Sequence, residues 1–273
     1  MEAMPLILFG VLFLLLLLGF PVAFTLGGVS FILGYMTFGA TFFHLLPLRI
    51  WGVMTNYVLI AVPLFVYMGV MLEKSGLAEA LLETMAFLFG RLRGGLAISV
   101  VVVGAMLGAS TGIVGATVVT MGLLSLPTML KRNYKPEVAT GTIAASGTLG
   151  QIIPPSIVLV LLGSVLNVSI GDMFMGAVIP GLMLVGLYMV WLVIIAILKP
   201  EWAPAMPEEE LAHFRRKGMA KRVFQAFVLP AVLVVAVLGS IFAGVASPTE
   251  AAAVGALGAT LLTIVPVLAS GVT

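Results

Sequence analysis

The chain has 273 residues, of which 62% are hydrophobic and 9% charged, and its mean hydropathy is +1.25. A soluble domain carries about 25% charged residues, so these side chains cannot coat a water-facing globule, and lipid must solvate most of the surface. A net charge of only +2 argues against a nucleic-acid partner, and the lack of cysteine excludes disulfides and thiolate metal sites.

The apolar sequence begins at once. Residues 1–18 have the length of a signal peptide, but Glu2 is their only charge. No small-residue cleavage site interrupts the run through Gly19-Phe20-Pro21 to Phe38, so it reads as mature membrane sequence. Pro21 breaks the helical hydrogen-bond ladder and predicts two short spans within 5–38; one long kinked helix is the competing reading. The next predicted span is 50–72. Residues 77–91 are too short to cross a bilayer. Glu79 and Glu83 share one face there, which predicts an amphipathic helix along the membrane surface. Further apolar segments follow at 94–130, 138–166, 173–198, 223–245 and 251–268.

Nearly all the basic residues fall in three polar stretches. These hold Lys74, Arg91 and Arg93; Lys131, Arg132 and Lys135; and Lys199 with Arg215, Arg216, Lys217, Lys221 and Arg222. The excess of Lys and Arg in cytoplasmic loops places all three stretches in the cytoplasm. Both ends of 94–130 are then on one side. That segment is far too long for one crossing and slightly short for two. Its middle, Gly108-Ala109-Ser110-Thr111-Gly112, is a poor helix propagator. The pattern predicts a re-entrant hairpin turning near the midplane at Ser110-Thr111, against a tight pair of ordinary helices. Irregular backbone at that depth is tolerated only where it is buried in protein or lines a watery cavity.

Within 138–166, Pro154-Pro155 removes two backbone donors, and Gly147 and Gly150 loosen the chain just ahead. An unwound helix with freed carbonyls is expected between residues 147 and 153. A hairpin tip facing a broken helix is the layout of secondary-transporter sites. Their carbonyl and hydroxyl oxygens suit Na⁺, and helix N-termini favour an anionic substrate. The candidate Na⁺ and substrate residues are Gly108, Ser110, Thr111, Gly112, Ser146, Gly147, Thr148, Gly150, Pro154 and Pro155. Helix packing through small residues is the competing reading; it accounts well for Gly27-Gly28 or Gly255 and Gly258 and poorly for the proline pair.

No catalytic constellation, cofactor or metal site beyond Na⁺ is expected. His44 and His213 stand alone near loops, and no Asp/Glu/His chain suggests a proton relay. Asp172 and Glu250 stand at helix starts and read as caps. The opening at Gly19-Phe20-Pro21 is echoed at Ser247-Pro248-Thr249, with opposite orientation by parity, as in an inverted repeat. By the length of the first copy, the second is expected to stop about 150 residues early.

Taken in order, several of these stretches resemble the large membrane subunit of TRAP (tripartite ATP-independent periplasmic) transporters. They are Gly19-Phe20-Pro21-Val22-Ala23-Phe24, Arg91-Leu92-Arg93-Gly94-Gly95-Leu96, the hairpin tip at 108–122, the 149–156 stretch ending Ile153-Pro154-Pro155-Ser156, and Ser247-Pro248-Thr249-Glu250 followed by three alanines. The resemblance implies an all-α, multi-pass, elevator-type protein of the bacterial inner membrane, with inverted repeats, a re-entrant hairpin and broken helices. It implies import of organic acids, dicarboxylate or sialic-acid-like, coupled to Na⁺. The implied partners are a small four-helix membrane subunit and a periplasmic substrate-binding protein. The implied division is repeat-1 scaffold helices at 1–72, an arm helix at 73–93 and a transport part at 94–198. A cytoplasmic linker at 199–222 and the start of repeat 2 at 223–273 follow. The second hairpin of the family is expected to be missing, as in a truncated product. Two competing readings stand beside this one: a Na⁺-coupled elevator transporter that needs no binding protein, and an inactive truncated membrane scaffold.

Overall fold

A computed structural model describes residues 4–112, 114–207 and 224–270; the side chains of residues 110, 111, 225, 226 and 265–270 lie outside it. All regular elements among the described residues are helical. They are α1 (Met4–Leu17), α2 (Val22–Phe38), α3 (Thr41–Met54), α4 (Ala61–Lys74), α5 (Leu77–Phe89), α6 (Gly95–Thr111), α7 (Val114–Lys131), α8 (Pro136–Thr148), α9 (Ile157–Leu166), α10 (Ile170–Leu198), α11 (Leu229–Phe242) and α12 (Pro248–Ser270). Short 3₁₀ turns cover Tyr57–Ile60 and Leu149–Gln151, and a π turn covers Phe224–Val228.

Contacts divide the chain into two compact units, Met1–Asn56 and Tyr57–Thr273. In the first, α1 and α2 are separate helices, with Gly19 (φ 87°) turning the chain and Pro21 standing at the N-cap of α2. Two short helices therefore replace a single kinked one. An aromatic cluster of Phe31, Tyr35, Phe42 and Phe43 joins α2 to α3. Gly34 makes room for it, since a Cβ there would lie 2.6 Å from the Phe42 ring. The predicted single span 50–72 is not one helix. Its first part belongs to α3, which ends at Met54, and α4 starts afresh at Ala61. Pro63 in the first turn of α4 supplies the reason: it lacks the N–H that a continuous ladder would need.

The second unit has two apolar cores. One joins α5, α6, α7, α8 and α10, with Val100, Val101, Met121, Met129 and Leu149 fully buried. The other joins α4, α9, α10, α11 and α12 around Phe65 and Phe174, whose rings meet edge to face at 6.4 Å. Gly255 and Gly258 admit Met68, Val237 and Leu233 to the surface of α12. This matches the packing role expected of these glycines, whereas the Cβ positions of Gly27 and Gly28 face open space. Helix α5 forms where the surface helix was predicted. Its apolar face, Ala78, Leu81, Leu82, Met85 and Ala86, is buried in the first core, and Glu79 and Glu83 stay exposed. Glu250 acts in the cap expected of it: its Oε2 accepts from Ser247 N–H and Oγ–H at 2.8 Å. At the start of α10 the cap is instead Ser169, whose Oγ accepts from Asp172 N–H at 3.3 Å, with Asp172 in the first turn.

Residues 199–206 run as a strap across the basic end of the first core. Gly94 N–H donates to Ala203 O, Lys135 N–H to Trp202 O, and Met206 N–H to Gly90 O. Beneath it Tyr134 is buried against the N-terminal N–H groups of α6 at Leu96 and Ala97, and burial pushes its hydroxyl pKa up to about 12. The predicted linker thus begins as ordered chain; residues 208–222 of it lie outside the described residues.

Large apolar side chains cover the outside of many helices, including Phe24, Val165 and Ile179, each more than three-quarters exposed. A soluble monomer does not present so much contiguous apolar surface. Among the described residues, Tyr57–Lys74, Val114–Lys131 and Ile170–Leu198 are long and apolar enough to cross a bilayer by length and composition.

Candidate functional site

Helices α6 and α7 pack as a helical pair, as both the re-entrant hairpin and the ordinary pair of helices require, but the turn is not at Ser110-Thr111. Helix α6 continues through Thr111 and ends at Gly112, where φ is 62° and the N–H donates to Gly108 O at 2.8 Å. This is a left-handed C-terminal cap, which glycine adopts without steric cost. The expectation of irregular backbone over 108–112 is corrected accordingly: small residues in apolar surroundings stay helical because the ladder is their only source of backbone partners. The side chains of Ser110 and Thr111 lie outside the described residues. At 1.5 Å per residue each arm extends roughly 26 Å, against about 30 Å for the hydrocarbon layer, so the arms reach the midplane or beyond it.

The broken helix is present. Helix α8 gives way to one 3₁₀ turn and then to Pro154-Pro155, joined by a cis peptide bond and buried. Helix α9 starts anew from Ser156. Its buried hydroxyl donates to Gln151 O at 2.6 Å and accepts from Leu159 N–H at 3.4 Å. Within the break, the N–H groups of Ile152 and Ile153 both donate to Leu149 O at 3.0 Å. Part of the expected set of freed carbonyls is therefore already engaged.

The structure brings hairpin and broken helix into contact along their whole meeting line. Gly104, Gly108 and Gly112 recur at the four-residue spacing of one helix face and oppose Ser146, Gly150 and Ile157 in succession. A Cβ on Gly104 would stand 2.6 Å from Ser146 Cβ, one on Gly108 2.7 Å from Gly150 Cα, and one on Gly112 3.2 Å from Ile157 N. Gly147 meets the other arm, 3.1 Å from Val118 Cα by the same measure. Backbone touches backbone here because no side chain intervenes. Gly104, Val118 and Ile157 were missed in the sequence; the i, i+4, i+8 glycines were the available signal.

Each broken element presents two half-helix ends. The hairpin contributes the C-terminus of α6 and the N-terminus of α7, and the broken helix contributes the C-terminus of α8 and the N-terminus of α9. The C-terminal ends of α6 and α8 meet at Gly108 and Gly150, and the C-cap of α6 at Gly112 meets the N-terminus of α9 at Ile157. Partial negative charge and partial positive charge are thus gathered side by side. Ser146 Oγ donates to Ile143 O at 2.9 Å and Thr148 Oγ to Ala145 O at 2.8 Å, which leaves the oxygen lone pairs of both hydroxyls as acceptors. Ser146 is buried and Thr148 exposed. Among the described residues no group of three His, Asp or Glu stands close enough to hold a metal ion. One carboxylate does reach the hairpin: Glu73, at the end of α4, accepts a short hydrogen bond from the Thr120 hydroxyl on α7.

A helical hairpin locked glycine to glycine onto an interrupted helix, with large apolar side chains on the outer faces of its helices, fits an all-helical integral membrane protein. Residues 9–270 match the family described as tripartite ATP-independent periplasmic transporter, DctM component, and the chain belongs to that family. It is 35% identical over 243 residues to a C4-dicarboxylate TRAP transporter large permease protein of Vibrio cholerae, covering 89% of this chain and 52% of that protein. It is 33% identical to an ectoine TRAP transporter large permease protein of Halomonas elongata (92% and 57% covered). It is 32% identical to a sialic acid TRAP transporter large permease protein of Vibrio cholerae (91% and 56% covered). These relatives are named as permease proteins, not enzymes, and the chain spans about half the length of the curated relatives it matches.

Proposed function

We propose that this chain acts in Na⁺-coupled import of an organic acid, with Na⁺ held where the C-terminal ends of α6 and α8 meet. The observation that carries this reading is the convergence of three half-helix ends, the C-termini of α6 and α8 and the N-terminus of α9, on one glycine-lined contact. The carbonyl-rich ends suit a hard cation, and the adjoining N-terminal end of α9 suits a carboxylate. In this reading Gly108, Gly150, Ser146 and Thr148 lie at the cation, with Ser110 and Thr111, and Gly112 and the Pro154-Pro155 turn shape the anion side. The named substrates of the relatives differ, so the acid is given only as a class, dicarboxylate or sialic-acid-like.

Transport follows the elevator pattern of inverted repeats in the inner membrane. The 94–198 part moves, 73–93 is its arm, and 1–72 with 223–273 belongs to the scaffold. A small four-helix membrane subunit and a periplasmic binding protein are the partners that deliver and admit the substrate. Labelling tests the ion site on this chain alone. Gln151→Cys places a thiol at an exposed position flanking the contact. Maleimide labelling is expected to slow several-fold in NaCl relative to KCl. Equal rates in the two salts overturn the Na⁺ assignment. Flux into proteoliposomes with and without a binding protein tests the partner assignment: uptake that persists without the binding protein contradicts it.

A further inference from the structure

A groove of about 370 Å³ runs between α6, α8 and α10, separate from the hairpin contact and at the lower end of the size range of ligand sites. Its walls are apolar, with Val101, Ala145, Trp191 and Ile195 among them, and Gly141 on its α8 side has open space where a Cβ would stand. One end of the groove is charged. Glu137 lines it, and Glu137 Oε1 lies 3.8 Å from Lys135 Nζ. Lys199 follows the groove residue Ile195 by one helical turn, its N–H donating to Ile195 O. The ammonium groups of Lys135 and Lys199 each lie 3.8 Å from the centre of the Trp202 ring, so one indole holds two cations beside one carboxylate at the groove's mouth.

We propose that this groove seats one acyl chain of a phosphatidylethanolamine, with the lipid phosphate held by Lys135 and Lys199 and its ammonium by Glu137. An acyl chain gains little by leaving bilayer for an apolar groove, because both surroundings are equally apolar. Selectivity therefore has to come from the mouth. Its two cations and one carboxylate complement a zwitterionic headgroup with a primary amine. A purely anionic headgroup leaves Glu137 facing phosphate, and a choline headgroup cannot donate a hydrogen bond to it. The setting fits: Trp and Lys at helix ends are the residues of the membrane interface. This assignment needs the chain to lie in a bilayer and nothing of the Na⁺ reading, so the two fail separately.

The test is native mass spectrometry of the full chain in mild detergent with equal amounts of phosphatidylethanolamine, phosphatidylglycerol and phosphatidylcholine. The expected result is one retained phosphatidylethanolamine. Lys135→Ala with Lys199→Ala is expected to weaken it about tenfold, the effect of losing charge-assisted contacts. Gly141→Phe fills the groove from a helical position with room for it. It is expected to abolish the adduct while the melting temperature holds, which keeps the test valid where the lysine variant unfolds. Glu137→Gln is expected to erase the preference over phosphatidylglycerol. No adduct, an adduct indifferent to both the lysine and the Gly141 changes, or phosphatidylglycerol bound as well as phosphatidylethanolamine by the unaltered chain overturns the proposal.

Discussion

Replacing Gly150 by alanine should loosen the hairpin from the broken helix. The new Cβ falls on the main chain of Gly108, and in the reciprocal change a Cβ on Gly108 lies 2.7 Å from Gly150 Cα and N. The obstacle is backbone in both cases, so no side chain can rotate away, and overpacking of this kind costs about 1–3 kcal/mol. Gly108 sits inside α6, where alanine regains roughly 1 kcal/mol of helix propensity. Gly108→Ala should therefore cost less than Gly150→Ala, which lies in a single 3₁₀ turn with little propensity to regain. Gly115 and Gly122 on α7 have open space at the Cβ position and serve as controls; alanine there should be neutral or stabilising. Thermal unfolding followed by circular dichroism in detergent reads the order, at roughly 2–4 °C per kcal/mol for a chain of this size. The predicted melting order is Gly115→Ala at or above the unaltered chain, then Gly108→Ala, then Gly150→Ala. If Gly150→Ala melts with Gly115→Ala, the close contact assigned to these helices is wrong.

Gly112→Ala should destabilise the hairpin by about 1–3 kcal/mol, since its φ of 62° is costly for any residue with a Cβ. The same melting assay checks it, and an Asn substitution should lose less. Glu73→Gln and Thr120→Val should be non-additive, because the bond they share joins α4 to α7. A double-mutant cycle is expected to give a coupling of about 1 kcal/mol or more, and additive losses would remove the bond from the account. Tyr134 gives a pH dependence of definite sign. Its raised pKa means the folded chain holds a proton that the unfolded chain loses near pH 10. Its contribution is complete below pH 10 and is lost as pH rises towards 12. The unaltered chain should lose stability relative to Tyr134→Phe over that interval, and parallel curves would contradict the burial assigned to the hydroxyl.

Much of the helix pattern was legible because lipid permits few solutions: apolar runs bounded by charge become helices, and prolines mark their ends. Pro21 and the Pro154-Pro155 pair both broke helices where their missing donors required it. The reading went astray where composition was mistaken for conformation. Gly108 to Thr111 is rich in weak helix formers, yet α6 runs through it, because an unpaired backbone group with no water to bond costs several kcal/mol, more than the roughly 1 kcal/mol that a glycine takes from helix propensity. The glycines there serve packing as well as turning, a role that the spacing of Gly104, Gly108 and Gly112 carried and their composition did not. The run 50–72 looked continuous because hydropathy does not register the missing N–H of Pro63. The strap over the basic end was illegible for another reason. It depends on Gly90, Gly94, Lys135 and residues 202–206 meeting across 67 to 116 positions, and local pattern holds no record of such meetings. Family resemblance marked motifs along the chain, but only the structure paired Gly108 with Gly150 and Gly112 with Ile157.

Hydrogen exchange of the main chain, followed by mass spectrometry in NaCl and in KCl, tests most directly whether converging half-helix ends hold a cation. The prediction is slower exchange in sodium for peptides covering 108–112 and 147–157 together, with peptides from α12 unchanged. Identical exchange in both salts, or slowing spread evenly over all helices, would contradict it.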